Sequence, residues 1–245
     1  MRLAIITARG GSKRIPKKNI REFHGKPIIA YSIAAALESN CFDEVVVSTD
    51  DSEIAGISIK YGAKIPFMRS EKNSDDFSTT SDVLHEVISE YLKLSKRIQY
   101  VCCLYPTAPF IKANDLMKAF DMLMSDEYVD LVMPVVKFSF PIQRAFRIRE
   151  NRLEYFNPEN AAARSQDLEP AYHDAGQFYF FRVEPFMAKK SLMLNNVKGI
   201  ILPELKAQDI DSPEDWTLAE IKFKLNQVSN AGVLIDAYHT KRGGS

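Results

Sequence analysis

The sequence predicts an α/β protein built on a mostly parallel sheet. Apolar runs of strand length alternate with helical patterns of about 10–17 residues, the spacing of crossover connections. Apolar residues make up 46% and charged residues 26% of the 245 positions, an ordinary globular balance. The three cysteines, Cys41, Cys102 and Cys103, form neither a disulfide framework nor a metal spacing, so a hydrophobic core must hold the fold without staples.

Taken in order, residues 3–8 form a buried apolar strand. A helix is expected over 27–37, with Pro27 in its first turn. The run Glu-Val-Val-Val-Ser at 44–48 is a second strand, 51–61 a helix and 63–68 a short strand. Apolar positions Val83, Leu84, Val87, Ile88 and Leu92 mark a helix over 78–94, with Ser78 as its expected cap. A strand at 99–104 leads into the stiff loop Tyr105-Pro106-Thr107-Ala108-Pro109, then a helix at 115–124 and a strand at 130–136. The alternation breaks over 138–174, where a hairpin pattern turns at Glu150-Asn151. This stretch reads as an inserted arm in a single domain spanning 1–227. Regular structure resumes with strand 176–181, helix 185–189, strand 198–202 and helix 213–225. The tail, 228–245, has weak patterning, ends in Gly-Gly-Ser, and reads as disordered or added in cloning.

Composition excludes several functions. Lys plus Arg and Asp plus Glu both total 32, a balance that argues against a nucleic-acid binder. The longest uncharged run, 98–111, is too short to span a bilayer. No signal-peptide pattern opens the chain, and the cysteines read as small buried hydrophobes, so a cytoplasmic location is expected.

The zero charge is unevenly spread. Residues 1–26 hold eight basic side chains and one acidic one. Most follow the first strand, in Ala8-Arg9-Gly10-Gly11-Ser12-Lys13-Arg14-Ile15-Pro16-Lys17-Lys18-Asn19. In open parallel sheets ligands bind at the carboxyl ends of strands. Glycines let backbone N–H groups approach an anion, and Arg9, Lys13 and Lys18 supply charge for a polyphosphate. Neither G-x-x-x-x-G-K-[ST] nor G-x-G-x-x-G is present, so this is not a Walker or dinucleotide loop. Near the other end, Asp209-Ile210-Asp211 precedes Ser212-Pro213-Glu214-Asp215. Ser212 and Asp215 account for a helix cap. Asp209 and Asp211 are left over, and their alternate spacing suits two carboxylates on one Mg²⁺.

The gapless string from Ile5 to Ile20, followed after five residues by Lys26-Pro27-Ile28-Ile29-Ala30-Tyr31-Ser32-Ile33, resembles the N-terminal signature of the CMP-sialic acid synthetase family. The resemblance extends to about residue 225. It implies a Rossmann-like nucleotidyltransferase with helices on both sheet faces and the arm at 138–174 as a dimerisation element, and hence a homodimer. It implies CTP as substrate, a nine-carbon keto sugar acid as acceptor, and Mg²⁺ as cofactor held by Asp209 and Asp211. Nucleotide contacts carry over to Ala8, Arg9, Gly10, Gly11, Ser12, Lys13, Lys18 and Asn19, with cytosine near Arg69, Ser78 and Thr79. Arg9, Lys13 and Asp211 take the catalytic roles. The acceptor is expected at Tyr105, Arg164, His173, Asp174 and Gln177, with Arg164 suited to pair a sugar carboxylate. The strings His173-Asp174-Ala175-Gly176-Gln177-Phe178-Tyr179 and Leu104-Tyr105-Pro106-Thr107-Ala108-Pro109-Phe110 depart from the sialic-acid enzymes and look like the pseudaminic acid branch, which feeds glycosylation of bacterial surface structures such as flagella. Sialic, legionaminic or another keto sugar acid is the alternative acceptor, and a non-catalytic nucleotide-binding module the remote one. The general base stays open between a metal-activated hydroxyl, Asp211 and Asp174.

Overall fold

A computed structural model describes residues 1–230. The main sheet has the order β11-β6-β10-β5-β1-β4, with β9 also paired to β6. Its strands are β1 (Arg2–Thr7), β4 (Glu44–Ser48), β5 (Tyr100–Leu104), β6 (Leu131–Lys137), β9 (Tyr172–Asp174), β10 (Phe178–Arg182) and β11 (Val197–Leu202). β1 runs parallel to β4 and β5, and β11 parallel to β6. β10 is antiparallel to both β5 and β6, and β9 antiparallel to β6.

Side-chain alternation builds two cores from one sheet. Ala4, Ile6, Cys102, Leu104, Phe178 and Phe180 face α1 (Ile29–Glu38), α2 (Ser52–Lys60) and α4 (Ala113–Met124). Leu3, Ile5, Val101, Cys103, Tyr179 and Phe181 face α3 (Thr80–Lys93) and α5 (Val183–Lys189). The adjacent cysteines thus point to opposite faces. All three cysteines are free and buried, and burial pushes the Cys103 thiol up to about 12. Among the described residues no helix is long and apolar enough to cross a membrane.

Local chemistry shifts several predicted boundaries. Pro27 belongs to the two-residue strand β3 (Lys26–Pro27), paired with β2 (Glu22–Phe23), and not to the first turn of α1. The His24-Gly25 link between them has positive φ at both residues, the geometry that suits a tight hairpin. The expected strand at 63–68 reduces to a bridge of Lys64 to Val46, because Pro66 has no N–H to extend a ladder. Thr79, not Ser78, caps α3, in a reciprocal capping box with Asp82. The arm contains the predicted hairpin, β7 (Phe146–Arg149) and β8 (Arg152–Tyr155), turned at Glu150 and Asn151, both at positive φ. α6 (Pro213–Asn230) outruns its expected end because no Gly or Pro interrupts it. The predicted tail therefore begins inside α6, and from 231 onward it lies outside the described residues.

Two contacts carry remote segments to one end of the sheet. Trp216 and Phe223 of α6 meet the fully buried Phe23 edge-on at 5.5 and 5.3 Å, and Arg21 lies over the Trp216 ring. That packing brings the segment before α6 against the first loop. The loop itself leans on α2: the Gly10 N–H donates to Asp50 Oδ1 at 2.9 Å, and a Cβ on Gly10 would lie 2.8 Å from Asp51 Oδ2. Asp51 is committed as the α2 cap, accepting from the N–H groups of Glu53 and Ile54. A Cβ on Gly11 would meet nothing within 4 Å. Gly10→Ala is accordingly expected to lower stability by about 1–3 kcal/mol through overpacking, and Gly11→Ala to change it by less than about 0.5 kcal/mol. Equal urea midpoints for the two variants would contradict this account of the loop.

Candidate active site

A cleft of about 460 Å³ opens at the carboxyl ends of β1 and β5. The first loop contributes Arg9, Ser12, Lys13, Arg14, Ile15, Lys18 and Asn19 to it. Opposite lie Arg69, Asp76 and Ser78 to Thr80, with Tyr105, Pro106 and Thr107 from the β5 loop and Asp211 from the segment before α6.

The loop cations are paired across this cleft. Arg9 Nη1 donates to Asp76 Oδ1 at 2.8 Å and to the Asp75 carbonyl at 2.9 Å. Lys13 binds the other oxygen of Asp76. These two cations hold the Asp76 carboxyl below the usual carboxylate range. Arg14 reaches Asp211 Oδ2 at 3.1 Å, and Lys18 reaches Asp211 Oδ1 at 3.3 Å and the Ile210 carbonyl at 2.5 Å. The loop backbone is fixed from inside. Asn19, 5% exposed, donates through Nδ2 to the Arg9 carbonyl at 2.8 Å. Its side chain therefore shapes the loop while it also lines the cleft.

Arg69 is 8% exposed and anchored by its guanidinium to the hydroxyl and carbonyl of Ser48. Burial works against its charge, while Asp50 and Glu86 support it. Ser78 donates to Asp75 Oδ1 at 2.6 Å. The Thr79 hydroxyl is committed within the capping box, donating to Asp82 Oδ2 at 2.6 Å and accepting from the Asp82 N–H at 3.2 Å.

Asp209 and Asp211 differ in surroundings. Asp209 keeps an exposed face, yet the protein around its carboxyl displaces water and raises its pKa. The Asp211 charge adds to that rise, and Lys18 opposes it. Asp211 lines the cleft and Asp209, two positions before it, does not; as hard oxygen donors the two are of the type that takes a divalent cation such as Mg²⁺. Among the described residues no group of three or more His, Cys, Asp or Glu assembles around a metal position, so a cation here would complete its shell with substrate oxygens and water. Ser212 and Asp215 form the predicted cap, the Ser212 N–H donating to Asp215 Oδ2 at 2.8 Å and the Asp215 N–H to Ser212 Oγ at 3.2 Å.

The predicted acceptor residues divide. Tyr105 lines the cleft. Asp174 lies behind it, with Oδ1 accepting the Gly176 N–H at 2.8 Å and Oδ2 accepting the Tyr179 hydroxyl. Gln177 is 2% exposed and donates to the Lys206 carbonyl, tying β10 to the chain before α6. His173 packs edge-on against Phe138 at 4.9 Å. Arg164 pairs with Asp167 on the arm and does not line the cleft. Ala8, Gly10 and Gly11 shape the loop without lining the cleft. Sequence reasoning missed Arg14, Asp76, Thr80 and Thr107. Arg14 sat within the basic run already noted. Asp76, in Ser-Asp-Asp-Phe-Ser, carried no pattern.

A family model described as cytidylyltransferase matches residues 3–204. A pseudaminic acid cytidylyltransferase of Campylobacter jejuni is 42% identical over 228 residues, covering 93% of this chain and 98% of that protein. A CMP-N,N'-diacetyllegionaminic acid synthase of Legionella pneumophila is 37% identical over 237 residues, covering 92% and 97%. Among solved structures, a CMP:2-keto-3-deoxy-manno-octonic acid synthetase complexed with CTP superimposes with a TM-score of 0.64 at 18% identity, over 92% of this chain and 98% of that one, a likeness of fold. With a family match across most of its length and a full-length relative above two-fifths identity, the chain belongs to the cytidylyltransferase family and is a nucleotidyltransferase.

Proposed function

We propose that this enzyme transfers CMP from CTP to pseudaminic acid and releases pyrophosphate. The observation that carries the reading is the meeting, in one cleft, of the cations of the first loop with Asp211. A triphosphate brings more charge than Asp76, so it is the stronger partner for Arg9 and Lys13. Those two groups would bind it and stabilise the charge that builds on the leaving pyrophosphate. The anomeric hydroxyl of the keto sugar acid would attack the α-phosphorus in line. Asp209 and Asp211 are the proposed holders of Mg²⁺, which when bound polarises the phosphate and helps orient the hydroxyl. Both Asp174 oxygens already accept internal donors, which disfavours that carboxylate as the general base. The identity of the 42% relative supports pseudaminic acid over its isomers.

With CTP, Mg²⁺ and a panel of nine-carbon keto sugar acids, mass spectrometry is expected to show CMP-pseudaminic acid, with kcat/KM at least about tenfold above that for sialic acid. EDTA should stop the reaction. Absence of pyrophosphate release with every acceptor would remove the reading, and preference for sialic or legionaminic acid would reassign the acceptor.

The arm supports a second element, a homodimer. Phe140, Ile148 and Leu153 are 81%, 72% and 67% exposed on and beside the β7–β8 hairpin, an unusual outlay of apolar surface for an isolated chain. A pairing of two arms would bury it. Ile148→Asp combined with Leu153→Asp is expected to shift the sedimenting species from dimer to monomer. A wild-type protein that sediments as a monomer at micromolar concentration would contradict the pairing.

A further inference from the structure

The chain that carries Asp209 and Asp211 is neither helix nor strand over residues 207–212, so no ladder holds it. Side chains hold it instead. Of the six carbonyls from Leu205 to Ile210, five accept a side-chain donor. Asn226 Nδ2 donates to Leu205 at 2.7 Å, Gln177 Nε2 to Lys206 at 2.5 Å and Lys222 Nζ to Ala207 at 2.9 Å. Gln208 Nε2 donates to Asp209 at 2.9 Å, and Lys18 Nζ to Ile210 at 2.5 Å. Beyond the pair of acids, the Asp211 N–H donates to Asp215 Oδ2 at 3.1 Å. Asp215, Lys222 and Asn226 stand at i, i+7 and i+11 of α6 and form one stripe of that helix. Trp216 and Phe223, each one position later, form the apolar stripe beside it that docks on Phe23. α6 thus grips the segment both before and after the two acids. A lysine at a surface ordinarily extends its ammonium into water. Lys222 is half-buried and sets its ammonium on a carbonyl two positions before Asp209.

We propose that Lys222 is a positioning residue for the two acids: its bond to the Ala207 carbonyl, with Asn226 as an outer support, sets where Asp209 and Asp211 stand against the first loop. The inference rests on the reading of those acids as holders of Mg²⁺. A bond to the backbone just upstream acts as groups behind metal ligands do, fixing the ligand's direction without touching the ion. Docking of α6 does not call for it, since Phe23, Trp216 and Phe223 supply that contact. With the bond in place the segment is ordered on folding, before any cation binds. Without it the cation must order the segment on binding, and affinity falls by that cost.

The test is a titration of the full chain with manganous ion in the presence of CTP. Enhanced water-proton relaxation separates the enzyme-bound Mn²⁺–CTP pair from the free one. CTP affinity in EDTA, by calorimetry, and a thermal melt accompany each variant. Lys222→Met keeps the stem and drops the donor; it is expected to weaken Mn²⁺ binding about tenfold. Its CTP affinity in EDTA should stay within about twofold, because the first loop is untouched. Lys222→Arg, which restores a donor on a long stem, should bring Mn²⁺ affinity back to within about threefold of wild type. Asn226→Ala, acting from farther up the segment, should cost about threefold, the loss of one hydrogen bond. A folded Lys222→Met chain with wild-type Mn²⁺ affinity would overturn the proposal, whatever its melting temperature. So would an equal loss of CTP affinity in EDTA, which would mark general damage to the cleft. Should Lys222→Met fail to fold, wild-type Mn²⁺ affinity in Asn226→Ala would overturn it equally. A wild-type chain that binds CTP but no Mn²⁺ would instead remove the metal reading of Asp209 and Asp211, and the proposal with it.

Discussion

Two carboxylates hold four cations at the mouth of this cleft, and the site depends on that balance. Asp76 takes Arg9 and Lys13, while Asp211 takes Arg14 and Lys18. A loop with eight basic and one acidic residue in its neighbourhood would otherwise repel itself. The pairs are substantially open to water, so each contributes little to stability and is readily exchanged. Rigidity comes from elsewhere: the buried Asn19 amide on the Arg9 carbonyl and the close seat of Gly10 on Asp51. A fixed backbone with exchangeable counter-charges suits an anion that must bind, react and leave.

The fold brings these parts together from distant points in the chain. β1 and β5 lie side by side, so the first loop and the Tyr105 loop leave the sheet at the same end. The antiparallel β10 inserts between β5 and β6 and carries Tyr179 beside Tyr105. The aromatic contacts of Phe23 with Trp216 and Phe223 dock α6 and bring Asp211 to Lys18 across 193 positions of sequence.

What the sequence disclosed follows from the range of each signal. Strands β1, β4 and β5 were legible because burial on both faces leaves continuous apolar runs. The basic loop and the Ser212–Asp215 cap were legible because their residues are neighbours in sequence. The arm hairpin was readable at Glu150-Asn151. By contrast, Asp76 acquires its role only when the chain folds back onto Arg9 and Lys13, and no local pattern marks it. Tyr179 has the signature of a core aromatic, which it is, and its hydroxyl's bond to Asp174 arises only in three dimensions. Arg164 and His173 were singled out for side-chain type, and within one chain they lie on the arm and beside Phe138, apart from the cleft. Pro66 and the His24-Gly25 turn show how a single backbone feature moves a boundary that periodicity alone sets elsewhere.

The exchange of partners at Arg9 and Lys13 is tested most directly by a crystal structure of the protein with CTP bound. The predicted result is the triphosphate lying along the first loop, with Arg9 and Lys13 on phosphate oxygens and both their bonds to Asp76 broken. A nucleotide bound elsewhere while Arg9 and Lys13 remain paired to Asp76 would contradict it.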